Sequence, residues 1–505
     1  MHSEPRRQAL RSGVAALIGV ACPYLPDARA ADVPRYQLGV ASGEPRPDGL
    51  VLWTRLTGVD LPPVVEVLWE MATDESFRQI VARGSETAEV ASAHSVHAEP
   101  AGLEPARWYW YRFRALGQQS PVGRTRTAPA ADAAATLKTA IASCQRYDHG
   151  EWAAWQHMAT QDLDLVMFLG DYIYEQASAA DALRPHDGSM LRTLEQYRRR
   201  YFQYKREPAL QAAHAAFPWL LIADDHEVEN DYAADRSPTL SGPDLLALRG
   251  AAFQAWWEHQ PLPKAMRPAG PDLRMHRRLD WGRLARIHAL DDRQHRDAHA
   301  CVAPRRVGGA ATVMNAACPA LADPKRSLLG SAQERWLAEG WDPQRRWNLL
   351  AQQTLMTRYN SHPDGQSWTD GWDGYTASRQ RLLGSVVERK VPGVVVLGGD
   401  RHANFVADLK TDFDDAKSPV VASEFCGTSI SSRGPAQSGV DTALALNPHL
   451  HFGRATERGY ISFTIDDKQL SARLMVVERP QDAASPLRET ARFAVDPLRP
   501  GPQRG

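Results

Sequence analysis

Four short apolar runs in the second part of the chain each end directly in a group of polar residues. They span residues 163–169, 219–223, 347–351 and 394–397 and alternate with segments of helical pattern. Such alternation predicts the strands of a layered α/β domain. We therefore expect residues 136–505 to form an α/β domain in which the carboxyl ends of the strands line one crevice.

The segment at residues 31–130 has a different pattern. Residues 50–55, 64–70 and 108–114 are rich in β-branched and aromatic side chains, and turns separate them. This pattern predicts a small N-terminal β-sandwich domain. An Ala- and Pro-rich stretch at residues 128–135 is the expected linker to the α/β domain.

The first 30 residues have the composition of an export signal. A charged start with Arg6 and Arg7 precedes an apolar stretch, and residues 28–30 (Ala-Arg-Ala) offer a small-residue cleavage site. The paired arginines resemble a twin-arginine signal, which implies the twin-arginine export machinery as a partner and a periplasmic or secreted location. An ordinary secretory signal and a lipoprotein signal through Cys22 are the alternatives.

The composition is that of an ordinary globular protein. The 505 residues carry a formal net charge of −1, and 43% of them are hydrophobic. This balance gives no basis for a nucleic-acid partner, although it leaves nucleic-acid phosphodiesters open as substrates. No run of about 18 apolar residues follows the signal, so we expect no transmembrane segment in the mature protein.

Four cysteines follow the signal, namely Cys144, Cys301, Cys318 and Cys426. Pairing is the default in an oxidising compartment, and Cys301 and Cys318 flank a loop rich in small residues, so we predict a disulfide between them. Cys426 is expected to be a small buried side chain. Cys144 follows a predicted strand and is either a plain buried thiol or a ligand.

The polar residues at the strand ends are of metal-ligating type. Cys144, Asp171, Asp225 and Asp400 would repel one another or lose hydration in one crevice unless a cation neutralised them. The sequence therefore predicts a metal site, with room for more than one ion. Taken singly, Asp171 could be a turn residue, and residues 224–227 could form a solvated acidic loop.

Two further residues strengthen the metal hypothesis. Tyr174 lies three positions after Asp171 and can face the same crevice, where its phenolate would suit a trivalent iron. His402 lies two positions after Asp400, so both side chains can point to the same side of an extended segment. Beside that carboxylate, His402 is interpreted as a ligand.

Three segments closely resemble the motifs of the PhoD-type alkaline phosphatases. They are residues 168–175 (FLGDYIYE), 223–230 (ADDHEVEN) and 397–402 (LGGDRH). The resemblance continues through residues 143–145, 290–293, 372–375, 428–430 and 447–449. It covers nearly the whole mature chain, including the export signal and the segment expected to form the β-sandwich.

The resemblance implies a metallophosphoesterase-type four-layer α/β sandwich, related to purple acid phosphatases and preceded by the small β-sandwich. It implies one Fe³⁺ and one or two Ca²⁺ ions. The residues that resemble iron ligands are Cys144, Asp171, Tyr174 and His402. Those that resemble calcium ligands are Asp225, Asp400 and Asn230, since calcium prefers oxygen. The implied catalytic residues are His226, Asp171 and Arg146, of which His226 and Arg146 would contact the phosphate.

The implied function is that of an exported, metal-dependent alkaline phosphatase and phosphodiesterase, hydrolysing phosphate esters with metal-activated water or hydroxide. The alternative is a phospholipase D-like phosphodiesterase on lipid headgroups, so the substrate is a small-molecule or a lipid phosphate ester. A third hypothesis, a secreted binding protein with a remnant site, conflicts with the presence of every ligand-type residue in the motifs.

Overall fold

The computed structural model describes residues 33–505, over which it has 24 β-strands and seven α-helices. The predicted export signal, with Arg6, Arg7, Cys22 and the candidate cleavage site at residues 28–30, lies outside the described residues. The strands are β1 (Val40–Arg46), β2 (Gly49–Arg55), β3 (Val64–Ala72), β4 (Ile80–Glu89), β5 (Ser95–Ala98), β6 (Trp108–Ala115), β7 (Gln118–Gln119), β8 (Gly123–Arg126), β9 (Leu137–Ala142), β10 (Leu165–Phe168), β11 (Pro218–Leu221), β12 (Arg277–Trp281), β13 (Ala285–Ala289), β14 (Thr312–Met314), β15 (Trp347–Ala351), β16 (Gln366–Trp368), β17 (Val394–Gly398), β18 (Asn404–Lys410), β19 (Val420–Cys426), β20 (Leu450–Arg454), β21 (Arg458–Ile465), β22 (Leu470–Val477), β23 (Leu487–Asp496) and β24 (Arg499–Arg504). The helices are α1 (Ala153–Ala159), α2 (Leu194–Lys205), α3 (Pro208–Ala216), α4 (Pro243–His259), α5 (Gly330–Gly340), α6 (Thr376–Glu388) and α7 (Gln437–Leu446).

Two mixed sheets form the centre of the α/β part. The larger sheet has ten strands in the order β24-β23-β22-β21-β9-β10-β11-β1-β2-β5, and the smaller has seven in the order β12-β13-β15-β17-β19-β18-β20. Strands β9, β10 and β11 are parallel to one another. In the other sheet, β13, β15, β17 and β19 form a parallel run. The central strands of both sheets therefore have the parallel order that strand–helix alternation predicts.

Alternating side chains place each sheet between two apolar layers. On β15, Leu349 belongs to the large core shared with Phe168 of the ten-stranded sheet, whereas the next residue, Leu350, packs with α5 and α6 on the outer face. Helices α1, α3 and α4 pack against the ten-stranded sheet. The order of layers is thus helix, sheet, sheet, helix, which is the expected four-layer α/β sandwich.

The N-terminal strands form a small sandwich that shares strands with the large sheet. Strands β4, β3, β6 and β7, with β8 beside β6, form a separate sheet. Its buried face, which includes Val67 and Phe113, packs on Val40, Leu52 and Val96 of β1, β2 and β5. Because β1 also pairs in parallel with β11, the sandwich continues directly into the ten-stranded sheet. The division into domains at residues 31–130 and 136–505 remains a prediction.

Local sequence explains how the helices form around this frame. Helix α2 begins at Thr193 with a capping box, in which the Thr193 hydroxyl accepts from the Gln196 amide and the Gln196 side chain accepts from the Thr193 amide. Its buried face presents Tyr197, Tyr201 and Tyr204 to the core. None of the helices in residues 33–505 combines the length and apolar character that a membrane span requires.

The topology brings ligand-type residues to the ends of the parallel strands. Cys144, Asp171 and Asp225 follow β9, β10 and β11 of one sheet, and Asp400 follows β17 of the other. Since Asp171, Asp225 and Asp400 line the same cavity, the two sheets contribute to a single site.

Trp155 of α1 connects the core to these strand ends. It is fully buried, packs against Trp219, and its Nε1 donates to Gln145 Oε1 at 2.8 Å. The Gln145 amide in turn donates to the Tyr172 carbonyl. We expect Trp155→Ala to lower the free energy of unfolding by about 3–5 kcal/mol, because it leaves a cavity and an unpaired amide.

Chemical denaturation with urea would measure this change, and Leu498→Ala is the control because Leu498 is 67% exposed. An unchanged unfolding midpoint for Trp155→Ala would contradict the role assigned to this side chain.

Candidate metal centre and active site

Four residues of the predicted metal site have backbone angles that non-glycine residues rarely adopt. The φ angles of Cys144, Asp171, Asp400 and His402 are +58°, +61°, +61° and +52°. Each position lies in a turn directly after a strand, where the left-handed conformation is strained for a residue with a Cβ atom. Such strain persists only where surrounding contacts enforce it, and it is concentrated at functional sites.

Glu227 enforces the turns after β10 and β11. Its buried carboxylate accepts hydrogen bonds from the backbone amides of Asp171 (3.1 Å), Tyr172 and Asp224 (2.7 Å). Burial, together with the charge of Asp171, raises the pKa of Glu227 to about 8. The turn also requires Gly170, since a Cβ atom there would lie 2.4 Å from the Asp224 Cβ.

The first group of candidate ligands contains sulfur, nitrogen and oxygen donors. One ligand atom each from Cys144, Asp171 and His402 lies within 4.8 Å of the others. Tyr174 joins this group, because its Oη donates to Asp171 Oδ2 at 2.8 Å and lies 3.2 Å from His402 Nε2. The other oxygen, Asp171 Oδ1, is buried and has no hydrogen-bond partner in the described part of the chain. A buried orphan carboxylate oxygen is the arrangement expected where a cation binds.

The protonation of this group depends on a cation. Burial raises the pKa values of the Cys144 thiol and the Tyr174 phenol well above their usual ranges, and the charge of Asp171 adds to both shifts. Thiolate and phenolate are the forms that bind metals, so only a strong positive charge would deprotonate these side chains. These donors therefore fit a Lewis-acidic ion, whose charge would stabilise the thiolate and the phenolate.

A second group of candidate ligands consists of carboxylates. Oxygen atoms of Asp225, Asp231 and Asp370 lie within 4.8 Å of one another. Burial raises the pKa of Asp225 to about 6, and burial with the neighbouring Asp370 raises that of Asp231 to about 8. Asp400, whose Oδ2 accepts from Thr354 Oγ1 at 2.6 Å, lines the same cavity. Clustered carboxylate oxygens suit a hard divalent cation such as Ca²⁺.

Both groups contribute lining residues to one cavity of about 360 Å³, which Asn230 and His226 also line. Asp171 is the residue that the groups share, since its oxygen also lies within 4.8 Å of ligand atoms of Asp225 and His226. The backbone amide of Asn230 donates to Glu175 Oε1 at 2.9 Å. Besides the disulfide, the sequence predicts nine site residues, of which six line the cavity: Asp171, Asp225, His226, Asn230, Asp400 and His402. The buried Cys144 and Tyr174 lie next to Asp171 without lining the cavity themselves.

His226 is oriented by a buried carboxylate. Its Nδ1 lies 2.7 Å from Glu175 Oε2, and its ring packs on that of Tyr174 with centroids 4.1 Å apart. Burial lowers the pKa of His226, but the charges of Glu175, Asp171 and Asp225 outweigh burial and raise it well above its usual range. A carboxylate on Nδ1 fixes the proton there and leaves Nε2 available to a ligand in the cavity.

Arg146 neither lines the cavity nor belongs to either group of candidate ligands. Its Nε donates to Asp148 Oδ1 and its Nη1 to Gln176 Oε1, both at 2.8 Å. The guanidinium lies 5.1 Å from the centroid of the Tyr174 ring. A direct contact between Arg146 and a phosphate stays a prediction without support from these contacts.

The sequence did not predict the roles of five residues at the site, which are Glu175, Glu227, Asp231, Arg293 and Asp370. Glu175 and Asp231 directly follow predicted site residues, so position along the chain was a usable signal. Arg293 is buried and donates to Asp224 Oδ1 at 2.6 Å and to Asp370 Oδ1 at 2.7 Å. Asp370 follows the short strand β16, and no local pattern indicates its approach to Asp225.

The wall of the cavity includes the loop between Cys301 and Cys318, which form a disulfide bond with a Cα–Cα distance of 6.0 Å. Within this loop, β14 pairs antiparallel with β16, and Thr312 lies opposite Trp368. Both residues line the cavity. Cys426 is a free, buried thiol, as expected.

The chain is similar to characterised phosphatases along most of its length. Residues 139–474 match the family described as "PhoD-like phosphatase", and residues 22–129 match "PhoD-like phosphatase, N-terminal domain". Alkaline phosphatase D of Bacillus subtilis (strain 168) is 41% identical over 461 residues, covering 88% of this chain and 77% of the relative. A solved structure of PhoD is 39% identical, with a TM-score of 0.87 over 93% of this chain and 92% of that one.

Arg293 offsets the charge of two buried carboxylates at the site, those of Asp224 and Asp370. We expect Arg293→Leu to lower the free energy of unfolding by about 3–5 kcal/mol, because it leaves the buried Asp224 without its guanidinium partner. Asp370 would keep its contacts with Arg296 and His299. The matched control is Arg199→Leu, since Arg199 is 72% exposed and pairs with the exposed Glu195. Its expected effect is below about 1 kcal/mol. Equal effects of the two substitutions, measured by denaturant unfolding, would contradict the account of Arg293.

Proposed function

The chain belongs to the PhoD-like phosphatase family and is a hydrolase of phosphoric ester bonds, and we propose that it is an exported, metal-dependent alkaline phosphatase with phosphodiesterase activity. One observation carries the metal dependence. Asp171, with an unpaired buried oxygen, lies between a group with sulfur, nitrogen and phenol donors and a group of carboxylates.

We propose that the first group holds one Fe³⁺, with Cys144, Asp171, Tyr174 and His402 as ligands. The phenol and thiol beside a carboxylate support a trivalent ion over a weaker Lewis acid. Asp225, Asp400 and Asn230 would hold one or two Ca²⁺ ions, to which Asp231 and Asp370 add oxygen donors that the sequence did not indicate. When bound, such ions would neutralise phosphate oxygens and lower the pKa of water.

The side chains around the cavity supply the remaining functions. Asp171 can bridge the two groups, because Oδ2 accepts from Tyr174 while Oδ1 remains unpaired. His226 would give a proton from Nε2 to the leaving oxygen of the ester, a role that requires the ring to be held in one orientation. Glu175 provides this orientation by binding Nδ1.

The proposed export rests on the sequence of the first 30 residues. The twin-arginine resemblance supports passage through the twin-arginine machinery to the periplasm or the exterior. This route carries folded proteins, which suits a chain whose buried thiol and phenol need an ion before they can act as ligands.

Asp171→Asn tests the proposed function. We expect it to reduce kcat for hydrolysis of an aryl phosphate monoester by about 1,000-fold or more. The neutral amide would bind metal ions more weakly than the carboxylate that lies between the two groups of ligands. The thermal unfolding midpoint should remain close to that of the wild type. Asp132→Asn is the control, since Asp132 is exposed in the loop before β9, and it should leave kcat unchanged.

The same assay defines the range of substrates. A monoester, a diester and phosphatidylcholine should be compared with the wild-type and Asp171→Asn proteins. We expect the wild type to hydrolyse the soluble monoester and diester and the variant to lose both activities. Normal turnover by Asp171→Asn would refute the proposal, and hydrolysis of phosphatidylcholine alone would assign the site to lipid headgroups.

A further inference from the structure

The cavity at the candidate metal centre is lined by five carboxylates, those of Asp171, Asp225, Asp231, Asp370 and Asp400. Among its lining residues in the described part of the chain, Arg401 is the only arginine or lysine. A phosphate ester is itself an anion, so its binding to this wall requires positive charge beyond that which balances the carboxylates. Arg401 is the side chain positioned to supply it.

The guanidinium of Arg401 is not committed to another anion. Within residues 33–505, no carboxylate lies at ion-pair distance from Arg401, and its hydrogen bond is that of the backbone amide to the Gly399 carbonyl. The guanidinium instead lies 5.2 Å from the centroid of the Tyr359 ring, which also lines the cavity. A cation over an aromatic face is held in place while its N–H donors remain free for a ligand.

The Tyr359 ring is itself fixed. It packs edge-on against the buried Phe405 of β18, with centroids 5.4 Å apart, and the Tyr359 backbone amide donates to Asp373 Oδ2 at 2.8 Å. The contact with the Arg401 guanidinium is made by the aromatic ring of Tyr359, so it does not require the phenol oxygen. The pair is therefore a preformed arrangement of a rigid aromatic surface and a cation.

Other arginines near the site are already occupied. Arg146 donates to Asp148 and Gln176, and Arg293 donates to Asp224 and Asp370. Neither lines the cavity. Arg401, in contrast, lies between Asp400 and His402, whose positive φ angles turn the chain so that all three residues face the cavity.

We propose that Arg401 binds the phosphate group of the ester substrate and of the phosphate product, with Tyr359 as the positioning residue for its guanidinium. The planar guanidinium can donate two parallel hydrogen bonds to phosphate oxygens. The assignment rests on the proposed function, because it takes the cavity to be a phosphoesterase site. It replaces Arg146 with Arg401 as the arginine that contacts phosphate.

Arg401→Gln is the direct test. Charge-assisted hydrogen bonds of this kind predict a fall in kcat/KM for an aryl phosphate of about 10- to 100-fold. The inhibition constant of inorganic phosphate should rise by a similar factor, while the iron and calcium content stays at the wild-type level. Arg401→Lys keeps the positive charge but cannot donate two parallel hydrogen bonds, so its kcat/KM should lie between those of the wild type and Arg401→Gln.

The role of Tyr359 is tested by a pair of variants. Tyr359→Phe keeps the ring and should change KM and the phosphate inhibition constant much less than Tyr359→Leu does. Tyr359→Leu removes the aromatic face and should raise KM and the phosphate inhibition constant by about 3- to 10-fold, with a smaller change in kcat. Arg306→Gln, at an exposed arginine of the loop closed by the disulfide, is the control for loss of one surface charge.

Unchanged kcat/KM and phosphate inhibition in Arg401→Gln would overturn the assignment and leave the proposed function intact. Loss of metal from that variant would also overturn it, because Arg401 would then act by holding the turn that contains Asp400 and His402. A wild-type protein without phosphoesterase activity would refute the proposed function itself. Failure of the Arg401 assignment and failure of the proposed function therefore give different results.

Discussion

The carboxylate of Glu227 joins two turns on which the whole candidate site depends. It accepts from the amides of Asp171 and Tyr172 after β10 and from the amide of Asp224 after β11. These contacts hold Asp171 in the left-handed conformation and fix it beside Asp225. Without them, the repulsion between two buried carboxylates and the strain of the turn would both favour separation of the strand ends.

Charge balance explains which charged side chains surround the cavity. Arg293 offsets the charges of Asp224 and Asp370, and Glu175 pairs with His226. The remaining carboxylates still exceed the positive charge of the lining side chains. This excess is consistent with bound metal cations, and it also gives the single arginine of the cavity wall its importance for an anionic substrate.

Much of this arrangement could be predicted from the sequence, for physical reasons. Apolar runs of strand length that end in Asp171, Asp225 and Asp400 indicate parallel strands, and parallel strands bring their carboxyl ends together. The motifs identified the family and thereby the layered fold. Pairing of β1 with β11 could not be foreseen, because alternating apolar residues show which side of a strand is buried and not its neighbour in the sheet. The approach of Asp370 to Asp225 and the choice between Arg146 and Arg401 depend equally on contacts distant in the chain, which local patterns do not encode.

The proposed activity depends on the proposed mixed iron and calcium centre, formed by Cys144, Asp171, Tyr174 and His402 with the neighbouring carboxylates. The most direct test is elemental analysis of the wild-type protein and of Cys144→Ser, both expressed as the full chain, with activity measured before and after calcium chelation. We expect iron and calcium in the wild type, activity that is lost on chelation and restored by calcium, and a marked loss of iron from Cys144→Ser. A fully active wild-type protein that contains neither metal would contradict the account, and unchanged iron in Cys144→Ser would show that Cys144 is a buried thiol and not a ligand.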